Sequence, residues 1–506
     1  MPQYLSPGVY VEEVEAGSRP IEGVGTSVAA FVGLAQRGPF NQPTQVTNWS
    51  QFAQTFGDFM EGSFLAHAVY GYFLNGGGTC FVVRIGANGA GPKAKAELPL
   101  GRDKALPYRI TALEAGPAGN DITVEVADAT EPGDDTFKLI VKRFGKEEEV
   151  YDNVTTKKGR RNVVTVVKAQ SKLIQMEEIP GATAMEPVSQ AQTALVGGGG
   201  TAAVRVTPEA YVGNSSDRTG FGGLEAVDTV TMLAVPDLMA AYQAQVMDLE
   251  GLQAVQLAMI AHCELMGDRV AILDSPPGLN AQQIREWRVD KAKYDSKYAT
   301  LYWPWIKVFD PLAGQMTLVP PSGHMAGIWA RSDDTRGVHK APANEVIRGA
   351  VDLELLITKG EHDQLNPQGI NVLRAFPGRG IRVWGARTLS SDPAWRYINV
   401  RRLFNYLEGS ILQGTQWVVF EPNDMALWER VKRTINSFLV RVWRDGALFG
   451  ATPQEAFYVK CDSETNPAEE IDAGKLTVEV GISPTKPAEF VVFRIAQFSG
   501  GASLTE

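Results

Sequence analysis

The sequence predicts an α/β protein of several domains (α+β multidomain): a mixed-sheet core with flanking helices, an inserted β-rich domain, and extended strand arms at the N- and C-terminal ends. Three observations carry this. Short apolar runs such as "TSVAAFVGL" (26–34) and "RVAILDSPPG" (269–278) alternate with helix-length segments, the pattern of βαβ crossovers and a largely parallel sheet. Between about Gly91 and Gly200 charged residues thicken and strands of alternating polarity appear. At the two tips, "YLSPGVYVEEVEAG" (4–17) and "PAEFVVFRIAQF" (487–498) are strand-like and fenced by Pro and Gly.

The first core strand is "TSVAAFVGL", apolar throughout as expected for a strand covered on both faces. A helix over "SFLAHAVYGYFLNGG" follows, stopped by Gly76 to Gly78, and leads into the strand "CFVVRIG" at 80–86. The insert holds "NDITVEVADA" and "TFKLIVKRFGKEEEVYDNV" and returns to the body through Gly197 to Gly200. From about 226 the chain reads strand ("DTVTMLAVP"), helix ("MAAYQAQVMDLEGLQAVQLAMIAHCELMG"), strand ("RVAILDSPPG"), helix ("NAQQIREWRVDKAK") and strand ("ATLYWPWIKVF"). Beyond Phe376 come "GIRVWGARTL", a helix near "YINVRRLFNYLEGSILQG", the strand "WVVFE", and a long helix from about Asp424 to Asp445. "KLTVEVGI" alternates cleanly, with Leu476, Val478, Val480 and Ile482 on one face.

With 506 residues the chain has room for about three ordinary domains. A net charge of −10 argues against nucleic acid as the main partner, since phosphate binding needs a cationic surface. Cys80, Cys263 and Cys461 are scattered and form no metal-ligand spacing, so they are expected to be buried, reduced thiols. "VAAFVGLA" (28–35), the most apolar early stretch, is too short to cross a bilayer, and the start of the chain lacks the pattern of a secretion signal. Cytoplasmic synthesis and assembly, without direct membrane insertion, are the expectation.

An α/β body invites an enzyme, but its usual machinery is missing. The Gly-Lys pairs at 145–146 and 474–475 are not followed by Ser or Thr, so neither closes a phosphate-binding loop. A G-x-S-x-G elbow and an H-E-x-x-H helix are also absent. The best cluster, "SGHMAGIWARSDDTRGVHK", contains His324, Asp333, Asp334 and His339, whose spacings of 9, 1 and 5 put no two ligands on one helix face. It reads as a structural loop, and "DSPPG" (274–278) as a turn. No catalytic, cofactor-binding or metal-binding residue is assigned.

Arginine carries more information. Seven fall between Arg374 and Arg402 (374, 379, 382, 387, 396, 401 and 402), against the single acid Asp392. On the 424–445 helix, Trp428, Val431, Ile435, Phe438, Leu439 and Val442 make an apolar stripe, leaving Arg430, Arg433, Arg441 and Arg444 around the other side with Glu429. That side is either a solvated face or a docking face for an acidic partner. In "EFVVFRI" both faces are apolar, Val491, Phe493 and Ile495 on one and Phe490 and Val492 on the other, so this arm must pair within the chain or with another copy.

The stretches "SPGVYVEEVEAGSRPIEGVGTSVAAFVGLAQRGP" (6–39), "FPGRGIRVWGARTLSSDPAWRYINVRRLFNYLEGSI" (376–411) and "FVVFRI" (490–495) resemble the contractile tail sheath family of phages, R-type pyocins and extracellular contractile injection systems. "ITALEAGPAGNDITVEV" (110–126) resembles a recurrent piece of the variable domain of these sheaths. The resemblance implies a non-enzymatic structural subunit without a cofactor. It implies self-assembly as a helical polymer around an inner tube protein, bounded by baseplate and terminator or cap proteins, which contracts to drive the tube through a target envelope. The particle is then a phage tail or a phage-tail-like body that is released from the cell.

It also implies a division into 1–22 (N-terminal linker arm), 23–90 and 206–375 (core), 91–205 (surface-exposed insert), 376–483 (C-terminal domain facing the tube) and 484–506 (C-terminal linker arm). Val9, Tyr10, Val11, Phe490, Val491, Val492, Phe493 and Ile495 would form strands shared between subunits. Glu429, Arg430, Arg433, Arg441 and Arg444 would face the tube. The rival readings are a cytoplasmic α/β enzyme of unknown reaction and a capsid-like shell protein.

Overall fold

A computed structural model describes residues 20–86, 93–98, 108–179 apart from 116, 132, 134 and 144, 192–197, and 206–494. An eight-stranded sheet forms the body. Its strands, in chain order, are β1 (Ala29–Gly33), β2 (Thr44–Val46), β3 (Cys80–Arg84), β4 (Met232–Ala234), β5 (Val270–Asp274), β6 (Ala299–Trp303), β7 (Ile370–Phe376) and β8 (Gly380–Val383). They lie side by side as β8-β7-β6-β5-β4-β1-β3-β2. The six inner strands are parallel, and β2 and β8 close the edges antiparallel.

Side chains alternate across a strand, so a sheet covered on both sides needs two cores, and two are present. Ala30, Val32, Leu233, Leu273 and Leu301 point to one face, where α2 (Leu249–Met266) packs Leu252, Val255, Met259 and Cys263 against them. Ala29, Phe31, Met232, Val270 and Ile272 point to the other, covered by α1 (Leu65–Asn75) and α3 (Ser322–Arg336). Each fully buried Leu or Phe contributes about 2 kcal/mol of transfer free energy, which is why these strands read as unbroken apolar runs. Gly76 ends α1 in the left-handed conformation, with φ 113°.

Several sequence expectations change for identifiable reasons. "SGHMAGIWARSDDTR" is not a loop but helix α3. Its glycines serve close packing: a Cβ on Gly323 would lie 2.3 Å from the Cα of Ala68, and one on Gly327 would lie 2.4 Å from the carbonyl oxygen of Tyr72. "ATLYWPWIKVF" divides at Pro304, which cannot donate to a ladder. Its first half is β6, while Ile306–Asp310 joins a separate three-stranded sheet with Gln315–Val319 and Ala350–Leu353. The long helix read from 239 to 267 is two, Asp237–Gln243 and α2, because Gln245 turns to φ 56° and the Asp248 side chain caps α2 by accepting from the Gly251 amide at 2.8 Å. "WVVFE" is not a strand; Gln416–Val418 is a single 3₁₀ turn opening into a loop.

Residues 93–196 build their own small core. Thr193–Ala194, Ile122–Asp128, Thr136–Arg143 and Lys146–Thr155 form a four-stranded antiparallel sheet, and Lys93–Leu98, Tyr108–Ala115 and Ile174–Glu178 form a three-stranded one. Both, with the helix Val163–Gln170, bury residues such as Ile110, Val124, Leu139 and Val167 in a cluster drawn from this segment alone. The C-terminal part packs α4 (Ile398–Gly414) and α5 (Met425–Arg444) around a further core that also takes in Ile21. There Phe457–Lys460 and Glu479–Ile482 make a two-stranded sheet, and Leu476, Val478, Val480 and Ile482 all lean on this core.

Candidate functional site

The C-terminal segment leaves the body through a set of specific ties. Thr485 donates its amide to the Ala447 carbonyl at 3.1 Å and its hydroxyl to the Gly446 carbonyl at 3.0 Å. Four residues further on, the Glu489 carboxylate accepts from both Arg387 Nε (2.9 Å) and Nη2 (2.7 Å), from Asn366 Nδ2 (2.7 Å) and from the Tyr397 hydroxyl (2.9 Å). Partial burial alone would raise this carboxyl; the hydrogen bonds from Arg387, Asn366 and Tyr397 outweigh it and hold Glu489 below the usual carboxylate range. A bidentate Arg–carboxylate pair with two further donors fixes position as well as charge.

Immediately beyond this latch the chain is open to solvent. Phe490, Val491, Val492 and Phe493 are 73%, 69%, 79% and 84% exposed. Four consecutive large apolar side chains in water are an exposed patch with a missing cover. The sheet of Phe457–Lys460 and Glu479–Ile482 lies in the same C-terminal part, has two strands among the described residues, and carries exposed Tyr458 and, nearby, Phe449. Val9, Tyr10, Val11 and Ile495 lie outside the described residues.

The second surface is α5. The Asp424 side chain starts it by accepting from the Leu427 amide at 2.8 Å, and Trp428, Val431, Ile435, Phe438, Leu439 and Val442 are buried as the periodicity requires. On the outer side Glu429, Arg433, Arg441 and Arg444 line one surface depression of about 500 Å³, together with Lys432, which sequence reasoning left out. Arg441 also reaches inward to the Ile21 carbonyl. Arg430 is turned away from this group: its guanidinium lies over the Trp417 ring (5.2 Å) and 3.7 Å from the Glu421 carboxylate.

The arginine cluster at 374–402 divides, and part of it is structural. Arg387, Arg401 and Arg402 are buried. Arg402 pairs with Asp333 of α3, and Arg401 reaches Glu408 at 3.0 Å while lying over the Trp395 and Tyr298 rings. The partners of Arg387 and Arg402, Glu489 and Asp333, are distant in sequence, so a count of local charge does not reveal them. In α3, burial and the nearby His67 push the His324 imidazole down to about 3, which keeps it neutral. No group of three His, Cys, Asp or Glu with a metal-holding arrangement occurs among the described residues.

Comparison with known proteins agrees with this architecture. Residues 225–389 match the phage tail sheath protein central domain and residues 390–498 the phage tail sheath C-terminal domain, together a continuous span covering more than half of the chain. The tail sheath protein of Burkholderia phage BcepMu is 25% identical over 96% of this chain and 95% of that relative. A putative prophage major tail sheath protein of Pseudomonas aeruginosa is 27% identical over 48% of this chain and 61% of its own length. In three dimensions, the anti-feeding prophage helical sheath in its contracted state superposes with a TM-score of 0.61 at 24% identity, over 97% of this chain and 99% of that one. The sheath complex of an extracellular contractile injection system, PVC, in the contracted state gives 0.60 at 23% identity, over 98% and 99%. The chain therefore belongs to the phage tail sheath family and is a structural subunit of a contractile tail sheath.

Proposed function

We propose that this subunit polymerises helically around an inner tube and contracts to drive the tube through a target envelope, its lattice held together by terminal arms exchanged between subunits. The observation that carries the reading is the pairing of a firm latch at Glu489 with four bare apolar residues directly after it. A loose tail would not be anchored by a bidentate arginine, and a finished domain would not leave Phe490 and Phe493 in water. Strand addition to the sheet of 457–460 and 479–482 in a neighbouring subunit satisfies both the backbone groups and the apolar side chains of the arm. Each ladder hydrogen bond contributes about 1 kcal/mol net, enough in sum to keep neighbours joined while their bodies move.

The cationic side of α5 faces the tube in the extended state, where Arg433, Arg441, Arg444 and Lys432 would meet carboxylates of the tube surface. Glu429 sits at its margin, and Arg430 contributes least because Glu421 and Trp417 already hold it. Contraction then needs neither cofactor nor catalysis: subunits assembled in a metastable arrangement on a baseplate, under a terminator, rotate into better-packed contacts once the tube is released. The insert at 91–205 is carried outward and is dispensable for polymerisation. Assembly takes place in the cytoplasm, and the finished particle is released from the cell.

Removing residues 490–506 tests this reading. The truncated protein should stay folded and soluble but build no long cylinders in negative-stain microscopy. Normal cylinders from that truncation would refute arm exchange.

A further inference from the structure

We propose that Phe420 is an apolar plug that seats the sheath subunit in a socket on the inner tube and sets the register of the cationic face beside it. The proposal rests on the assignment of that face to the tube and adds to it the element that fixes position.

Phe420 is fully exposed, at 102% of its reference surface, and its backbone sits in the left-handed region at φ 68°. That region is unfavourable for any residue with a Cβ and rare for a bulky aromatic, so the conformation persists only where the surroundings impose it. Here they do. On one side Arg430 stacks on Trp417 and reaches Glu421. On the other, Asn423 donates to the Lys475 carbonyl at 2.8 Å and accepts from the Trp428 indole at 2.8 Å. The Glu421 amide closes the turn on the Val418 carbonyl at 3.1 Å. A loop tied at both ends thus holds an aromatic ring out into water, and among the described residues nothing covers it.

The neighbours of Phe420 indicate what covers it. Val419 and Met425 are exposed as well, giving a small apolar tip. Met425 begins the outer stripe of α5, and Glu429, Lys432, Arg433 and Asn436 follow it at helical spacing. The apolar tip and the cationic face are therefore one continuous surface. Its complement is a hydrophobic socket rimmed by carboxylates. Charges alone tolerate sliding along a repetitive acidic surface, whereas a single aromatic in a socket does not. Sequence reading places Val419 and Phe420 in a strand, which hides this feature.

Phe420→Gly separates the two roles of the residue, since glycine occupies φ 68° freely while removing the ring. Particles would be purified from cells producing the complete set of sheath, tube and baseplate proteins, and scored by electron microscopy. The variant subunit should melt at the same or a higher temperature than the parent, yet give about tenfold fewer extended, tube-filled particles, as expected for loss of an interface anchor. Phe420→Trp should restore them. Parental numbers of tube-filled particles from Phe420→Gly would overturn the proposal, as would an equal loss of tube-free cylinders, which would place the ring between subunits. Arg433→Glu with Arg444→Glu, scored in parallel, tests the docking face itself. If that variant fails and Phe420→Gly does not, the face stands and the plug falls; if neither is impaired, the face is not the tube surface.

Discussion

Arg402 and Asp333, 69 residues apart in the chain, meet as a buried two-point ion pair between two helices, Nη1 to Oδ1 at 2.9 Å. The same pair holds the entering N-terminal segment: the Thr26 hydroxyl donates to Asp333 at 2.7 Å, and Arg402 donates to the Thr26 carbonyl at 2.9 Å. The guanidinium also covers the Trp329 ring at 4.7 Å. One cluster thereby fastens the N-terminal segment, the core helix α3 and the C-terminal helix α4 to one another.

Replacing one member leaves the other charge buried and alone. Asp333→Ala should cost about 3–5 kcal/mol of stability in urea unfolding, and the double change Asp333→Leu with Arg402→Met should cost less than the single one. A loss below about 1 kcal/mol for Asp333→Ala would show that the pair does not fasten the fold.

Packing of α1 against α3 gives a second expectation. Gly323→Ala puts a methyl 2.3 Å from the Cα of Ala68, and backbone cannot yield as a flexible side chain can. Overpacking of this kind costs about 1–3 kcal/mol, so the variant should lower Tm and soluble yield. Unchanged melting would mean that the helices are not in contact there.

These two features show what the sequence reveals and what it conceals. β1, β3 and the stripe of α5 were legible because burial on one or both faces dictates their periodicity. Helix α3 was not: Gly323 and Gly327 permit close helix approach but resemble loop composition until Ala68 and Tyr72 are seen opposite them. Arg387, Arg401 and Arg402 looked like a surface patch because two of their partners, Glu489 and Asp333, are supplied by remote segments. Lys432 shares the outer stripe of α5, a position that helical spacing reveals although the arginine pattern alone does not.

Acid should weaken the fold through its buried histidines. Burial pushes His324 down to about 3, and burial plus the positive charge of Arg269 (for His262) or Arg374 (for His362) pushes those two to about 4, against an ordinary 6.5. At these sites the unfolded chain therefore binds more protons below pH 6.5, which lowers stability as pH drops from 6.5 toward 4, partly offset by Asp237 and Asp274, which burial raises to about 6 and 7. Each histidine contributes a slope of about 1.4 kcal/mol per pH unit in that window. Urea midpoints at pH 7, 6 and 5 would display the decline, and His262→Gln should reduce its steepness. A slope left unchanged by His262→Gln would contradict neutral burial of that imidazole.

Releasing the arm should damage the lattice more than the subunit. Glu489→Ala removes a partly buried ion pair with two further hydrogen bonds, an effect of about 1–3 kcal/mol concentrated at the arm root. Purified subunits should melt within a few degrees of the parent, while cylinders become short and broken in negative stain. Full-length cylinders from this variant would show that the latch does not position the arm.

In the proposed arm exchange, residues beyond Glu489 belong structurally to a neighbour. A helical reconstruction by cryo-electron microscopy of cylinders formed by the intact protein tests it most directly, because the chain can be followed from the Arg387–Glu489 pair outward. The account predicts that residues 490–498 add as a strand to the sheet of Phe457–Lys460 and Glu479–Ile482 in a different subunit, burying Phe490 and Phe493. A density that folds this segment back onto its own body, or cylinders whose subunits touch without exchanging it, would contradict the account.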